Sequence, residues 1–373
     1  MHRGGRRARQ RSGGRRRTAG RGGHPDLEHH QHGHPAVRAT AVAFPNIALI
    51  KYWGKRDEAL IIPQTSSLSL TLAVYPTTTT VTLAADGEQH QVLQDGAPMP
   101  QAASVKVARF LDHVGQLAGS SRGACVETSN AGPTGAGLAS SASGFAALAA
   151  AAAAAYGLDL SSRDLSRLAR RGSGSASRSI FGGFAVWNAG TDDLSSYAEP
   201  VSDAHVDAAM VLGIVNAGAK PISSRDAMRR TVETSPYNAP WVETNPTELA
   251  LMRDALRRGD FTEVGEISER NALRMHAAML GAVPPVRYLT AGSMALLDAV
   301  AELRRGGLEA YATMDAGPNV KTLCRSADAP AVRAALAAAA PGIEFVIAES
   351  GPGVAVSGPD DADDAPAARG ATR

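Results

Sequence analysis

Cysteine is nearly absent: Cys125 and Cys324 are the only two in 373 residues, far apart and without metal-ligand spacing. A disulfide framework and a cysteine-based zinc site are therefore excluded, and a reduced cytoplasmic setting is the simplest reading. Aromatic residues make up only 5% of the chain. No apolar run reaches the ~18 to 20 residues that a membrane span needs. The longest, Phe145 to Tyr156, is mostly alanine and reads as a buried helix. The positively charged N-terminus has no apolar stretch behind it, so it does not read as a secretory signal.

What is present is glycine, alanine and an uneven distribution of charge. The formal net charge is only +2. Residues 1–38 nevertheless hold ten Arg against Asp26 and Glu28, or +8, which leaves −6 for the remainder. This Arg/Gly segment also carries His29, His30, His32 and His34 and lacks apolar periodicity, so it is expected to be an unstructured tail. Such a tail suits contact with nucleic acid or an acidic surface. An extension ahead of the true start, or a dispensable one, is the preferred reading; the tail has no interleaved aromatics and the rest of the chain is acidic, which argues against an RNA-associated protein. Residues 359–373, with Asp360, Asp361, Asp363 and Asp364 among Ala and Pro, read as a second tail.

Between the tails, strand and helix patterns mix without strict βα alternation, which predicts an α+β fold. An N-terminal unit is expected over 39–205 and a C-terminal unit over 206–358. Strands are expected over 41–50, 68–74, 78–83, 124–128 and 184–187, with 68–74 and 78–83 forming a pair about Tyr75-Pro76. Val105, Phe110, Leu111, Val114 and Leu117 mark a helix face. Ser161-x-x-Asp164 resembles a capping box. In the second half, strands are expected over 208–215, 310–314 and 345–348, and helices over 224–232, 246–257, 261–275, 294–303 and 330–339.

Four segments carry chemistry. The stretch from Pro133 to Gly144 places Gly135, Gly137 and Ala139 where the backbone can approach a ligand closely, with Ser140 or Ser141 capping the Ala-rich helix. A helix start presents free N–H groups and a positive dipole end, and so suits a phosphate. Asn46 to Asp57 delivers Lys51, Tyr52, Trp53, Gly54 and Lys55 from an apolar strand. Ser173 to Ser179 sets hydroxyls at alternating positions beside Arg178, a group able to hold phosphate or carboxylate bidentately. Tyr311 to Asn319 ends an apolar strand on Asp315 before a Gly317-Pro318 turn. That is where a rigid scaffold would present a catalytic carboxylate or merely cap a turn.

Together, Asn46 to Asp57, Pro133 to Ser143, Ser173 to Ser179 and Met314 to Asn319 resemble the mevalonate diphosphate decarboxylases. These belong to the superfamily of galactokinase, homoserine kinase, mevalonate kinase and phosphomevalonate kinase. The resemblance spans residues 39–358. It implies a two-domain small-molecule-kinase-like fold with a cleft between the domains, and ATP-dependent decarboxylation of mevalonate 5-diphosphate to isopentenyl diphosphate. Asp315 matches the catalytic aspartate and Lys51 the lysine beside it. Ser173, Ser175 and Arg178 match diphosphate and carboxylate contacts. Tyr52 and Lys55 match further diphosphate neighbours, and Ser224 and Arg225 contacts from the second domain. Gly135, Gly137, Leu138, Ala139, Ser140 and Ser141 match the cradle of the ATP phosphates, with Mg2+ at Ser140 or Ser141. The loop departs from many relatives by Gly135, where they carry alanine. The resemblance also implies a homodimer. Alternatives are a decarboxylase of mevalonate 5-phosphate, a mevalonate 3-kinase, and, from another class, an RNA-associated protein.

Overall fold

The structure, a computed structural model, describes residues 37–132, 140–215 and 222–357. The two expected tails therefore fall almost wholly outside the described residues. So do Gly135, Gly137, Leu138, Ala139 and the side chain of Ser140.

The first sheet has six strands in the order β16-β1-β6-β9-β7-β8. They are β1 (Arg38–Ala43), β6 (Thr77–Leu83), β7 (Gln91–Gln94), β8 (Ala97–Pro98), β9 (Ala124–Asn130) and β16 (Ala355–Ser357). In β6 the side chains alternate, with Thr77, Thr79, Val81 and Leu83 buried and those between half-buried, the period of a strand with one face on a core. That core is made with α1 (Gln101–Leu117) and α2 (Ser140–Ala155). α2 is buried nearly all round because alanine lets sheet and helix approach closely from several sides. The last strand, β16, returns to pair with β1.

The second sheet runs β11-β10-β5-β2, built from β2 (Asn46–Ile50), β5 (Ser67–Thr71), β10 (Phe184–Trp187) and β11 (Ala198–Pro200). A short hairpin of β3 (Lys55–Asp57) and β4 (Ile62–Pro63) leaves β2. The third sheet runs β13-β14-β12-β15, from β12 (Ala209–Ile214), β13 (Ala310–Met314), β14 (Val320–Cys324) and β15 (Glu344–Glu349). Around these pack α3 (Ser162–Gly172), α4 (Ser224–Thr234), α5 (Asn238–Arg258), α6 (Phe261–Leu280), α7 (Ala291–Arg305) and α8 (Ala329–Ala339). One core joins the two halves of the chain: Ile47, Leu70 and Val186 of the second sheet meet Met210, Leu256 and Phe261 of the C-terminal half.

The α+β reading holds, with several corrections. The expected strand over 41–50 is two strands in different sheets, because Phe44-Pro45 interrupts it and proline has no N–H to give a ladder. Strands β5 and β6 do not pair. The chain turns at Tyr75, which has positive φ, and crosses from one sheet to the other. The buried face of α1 is Val107, Phe110, Leu111 and Val114 at true helical spacing, while Val105 is exposed. α2 starts at Ser140, so Ser140 and Ser141 lie within its first turn rather than capping it from outside. The Ser161 cap of α3 is present, accepting from the Asp164 N–H. Strand β14 and the 3-10 helix Gly174–Ile180 were not expected.

The seating of α6 on β13 aligns the two elements that flank Asp315. Gly265 lies on that contact, where an added Cβ would come 2.0 Å from the Tyr311 ring. Gly265→Ala is expected to destabilise by about 1 to 3 kcal/mol, the cost of overpacking a filled core. Urea unfolding reads this as a lower midpoint at unchanged slope. An unchanged midpoint would contradict the close seating of α6.

Candidate active site

A cavity of about 260 Å³ lies between the two halves of the chain. Lys51, Tyr52, Lys55, Ser141, Ser173, Ser175, Arg178, Ser224, Arg225 and Asp315 all line it. The fold thus gathers every described candidate side chain from the sequence into one space. At its floor, Lys51 Nζ stands 2.8 Å from Asp315 Oδ1, linking residues 264 apart in the chain.

Lys51 reaches this place by backbone geometry. A register shift between Ala48 and Ile50 bulges the β2–β5 ladder just before it ends, and the next residue, Lys51, is buried. Its N–H donates to Asn271 Oδ1 at 2.8 Å, and its ammonium donates to the Ala48 carbonyl at 2.7 Å. Asn271 Nδ2 in turn donates to Glu248 Oε2, a buried carboxylate whose other oxygen receives Arg270 and Arg274. Burial pulls the Lys51 ammonium down to about 8, against the opposing pull of Asp315.

Asp315 follows β13 directly, and its side chain is 29% exposed, open to the cavity. Ser293 fixes the turn behind it by donating to the Pro318 carbonyl at 2.6 Å. A second ammonium, Lys321 on β14, lies 3.4 Å from Asp315 Oδ2. His276 on α6 is buried beside these groups, and burial together with the nearby lysines holds its imidazole down at about 4, neutral near pH 7.

Arg178 is buried on the 3-10 helix, and burial lowers it to about 10. Its guanidinium donates to Asn46 Oδ1, Ser69 Oγ and Ser67 Oγ. Five N–H donors in a planar fork leave two for the cavity. Asn46 also donates to the Ser175 carbonyl at 3.0 Å and to Ser179 Oγ at 2.8 Å, clamping the serine segment against β2. Gly174 is required here, because a Cβ would come 2.7 Å from the Trp187 ring. Trp187 stacks edge-on with Tyr52 at 4.8 Å. Lys55 Nζ is held by Glu58 at 2.6 Å on the β3–β4 hairpin. Arg170 of α3, wholly buried, donates to the Leu60 carbonyl of that hairpin and to Asp193 in the segment between β10 and β11.

A second cavity of about 300 Å³ lies between β6, β9, α1 and α2. Its walls are mainly apolar, with Val92, Met99, Phe145 and Leu148, and Thr128 and Asn130 add polar groups. Such a lining suits a flat heteroaromatic base. Ser141 and Lys106 line both cavities, so the first turn of α2 and one ammonium stand where they meet. Lys106 is pulled down to about 8 by burial and by Arg225 and Lys55. Among the described residues no three His, Cys, Asp or Glu side chains converge as a metal cage. The donors present fit a magnesium ion carried mainly on phosphate oxygens, with the Ser141 hydroxyl in reach of that junction.

Sequence reasoning named Asn46 without a role and missed Lys106, Asn271, His276 and Lys321. Lys321 left a readable signal, a charge inside the apolar strand Val-Lys-Thr-Leu-Cys. Lys106 left none, since a lysine between Val105 and Val107 is what any amphipathic helix carries beside its apolar face.

Comparison with known proteins agrees with this geometry. Residues 43–198 match the diphosphomevalonate decarboxylase-like N-terminal domain. Residues 210–351 match the mevalonate 5-diphosphate decarboxylase C-terminal domain. The diphosphomevalonate decarboxylase of Ganoderma lucidum is 39% identical over 307 residues, covering 76% of this chain and 77% of its own. The human diphosphomevalonate decarboxylase is 36% identical over 324 residues, covering 76% of each. Among solved structures, the mevalonate diphosphate decarboxylase of Enterococcus faecalis is 46% identical with a TM-score of 0.81, covering 86% of this chain and 99% of its own. A complex with MVAPP, AMPPCP and magnesium is likewise 46% identical over the same shares, with a TM-score of 0.82. The chain belongs to the diphosphomevalonate decarboxylase family.

Proposed function

We propose that this chain catalyses the ATP-dependent decarboxylation of mevalonate 5-diphosphate, giving isopentenyl diphosphate, ADP, phosphate and CO2. The observation that carries the reading is the buried Lys51–Asp315 pair facing a cation-lined cavity. It is joined through Ser141 and Lys106 to a second, mainly apolar one. ATP supplies the phosphoryl group and Mg2+ offsets its charge during transfer.

The chemistry follows from the residue types. Hydroxide is a poor leaving group, so the tertiary 3-hydroxyl has to be phosphorylated before the carboxylate can leave. Asp315 accepts the proton of that hydroxyl as its oxygen attacks phosphorus. Lys51 keeps Asp315 ionised and steadies the negative charge on oxygen. When the C3–O bond breaks, its electron pair leaves with phosphate. The pair of the C1–C2 bond then becomes the C2–C3 double bond as CO2 departs. Arg178, held flat by Asn46, Ser67 and Ser69, receives a substrate carboxylate or phosphate oxygen with its free N–H groups. Tyr52, Lys55, Ser173, Ser175, Ser224 and Arg225 hold the remaining phosphate oxygens. Lys106 and the first turn of α2, with Ser140, Ser141 and the preceding Gly135, Gly137, Leu138 and Ala139, hold the ATP phosphates.

In this reading 39–205 forms the ATP unit and 206–358 the unit that delivers Asp315. The enzyme works as a homodimer, as the family resemblance implies, and in the cytoplasm, a reducing setting that suits its two free cysteines.

Three outcomes test the proposal. Asp315→Asn should lower turnover by about 10²- to 10⁴-fold, the range for loss of a general base, with ATP binding retained. Near wild-type turnover would remove Asp315 from the mechanism.

Lys51 must carry its proton, so kcat/KM should fall as pH rises through about 8, not at the 10.5 of an ordinary lysine. Lys106 titrates in the same window, and the profile is therefore repeated in Lys106→Gln. A fall that persists there belongs to Lys51, whereas a profile flat to pH 10 contradicts the role.

The third outcome is substrate choice, read by ATP-dependent CO2 release. The cavity's cations and hydroxyls suit two phosphates, and one lost charged hydrogen bond is worth about 1.5 to 3 kcal/mol. Mevalonate 5-phosphate should therefore be poorer than the diphosphate by more than tenfold in kcat/KM. Equal or better turnover of the monophosphate would make the chain a phosphomevalonate decarboxylase.

A further inference from the structure

Lys321 is a buried cation that the mechanism above does not use. It sits on β14, a central strand whose five residues are all buried. It lies opposite Thr313 of β13, two residues before Asp315. Its side chain is 2% exposed, and Nζ stands 3.4 Å from Asp315 Oδ2. The same ammonium donates to the Asn319 carbonyl at 3.3 Å, within the turn that joins the two strands. A central strand position asks for a β-branched or apolar side chain, and burying an ammonium there is costly unless an anion answers it. Lys321 is not among the residues that line the cavity and stands behind Asp315, which does.

We propose that Lys321 is a positioning residue for Asp315, holding the carboxylate plane from its Oδ2 side while Lys51 holds Oδ1. With an ammonium at each oxygen the carboxylate cannot rotate freely about χ2. The edge of Asp315 that faces the cavity stays aimed at the hydroxyl it has to accept from. Lys321 also disfavours premature protonation of Asp315, in company with other charges among the described residues: Lys51 at the end of β2 and Arg178 on the 3-10 helix. His276 on α6 faces the same group as a neutral imidazole. This inference rests on Asp315 being the base, and its test is arranged so that the two can fail separately.

The test uses Lys321→Met and Lys321→Arg in the full chain, assayed with mevalonate 5-diphosphate, ATP and Mg2+. Lys321→Met is expected to lower kcat at least tenfold, with KM for both substrates changed less than twofold. The acid limb of its kcat/KM profile should move up by about one pH unit or more, the usual effect of removing a cation beside a carboxylate. Lys321→Arg should keep the limb near its original position. A lower kcat with the limb unmoved in Lys321→Met would reduce Lys321 to packing, and an unchanged kcat and limb would remove it altogether.

Urea unfolding of wild type, Asp315→Asn, Lys321→Met and the double variant gives a reading independent of activity. The effect of Lys321→Met on the unfolding midpoint should differ between the wild-type and Asp315→Asn backgrounds. Equal effects in both would overturn the pairing. If Asp315→Asn retains full turnover while this coupling is present, the base assignment fails and the pairing stands. Should Lys321→Met not fold, Lys321→Gln takes its place in both measurements, with the same limb shift and coupling expected.

Discussion

A single ion pair between residues 264 apart, Lys51 Nζ on Asp315 Oδ1, sets the terms for the rest of the molecule. An ammonium almost without solvent is tolerated only if its partner is fixed in place. Each half of the chain therefore carries an element whose task is to hold one end. β2 is bulged so that Lys51 turns inward, and Asn271 and Glu248 lock its backbone from α5 and α6. β13 and β14 meet in a tight turn that presents Asp315, with Ser293 bracing the turn from α7. The shared core of Ile47, Leu70, Met210 and Phe261 keeps these two supports in register.

The same logic separates the two cavities. Around Lys51 and Asp315 the wall is crowded with cations and hydroxyls, which suits a small, highly charged acid. Beside α2 the wall is apolar apart from a few polar groups, which suits a base. The passage between them is marked by Ser141 and Lys106. In the proposed reading, donor and acceptor of a phosphoryl group would be kept apart by chemistry and meet at one helix start, where backbone N–H groups and the dipole favour anions.

Much of this was legible in the sequence, and the reason differs by residue. Strand β13 was read with its exact bounds because Ala-Tyr-Ala-Thr-Met is short, apolar and closed by an Asp-Ala-Gly-Pro turn. The segments holding Lys51 and Asp315 stood out because each sets a charge at the end of an apolar strand, and that holding Ser173 and Arg178 because hydroxyls alternate beside a guanidinium; the roles assigned to these residues came from the family resemblance. β1 and β2 merged into one expected strand because both are apolar, and Pro45 alone marks the break. The partnership of β5 with β10 was invisible, since strand order is a long-range property with no local spelling. Lys106 was missed for the same reason: its importance comes from where α1 is placed, not from its neighbours in the chain. Asn46 and Asn271 matter as buried hydrogen-bond brackets, a role that appears only when their partners, 129 to 220 residues away, are brought beside them.

The central claim is that one site phosphorylates the 3-hydroxyl and then releases CO2. A single-turnover experiment with excess enzyme tests it directly, using mevalonate 5-diphosphate labelled at C1 and ATP labelled at the γ-phosphate. The account predicts ADP, inorganic phosphate and CO2 in equal amounts, with no labelled phosphate left on the organic product. ADP formed without CO2, with the label retained on a 3-phosphorylated acid, would contradict it and make the chain a kinase that stops at the first step.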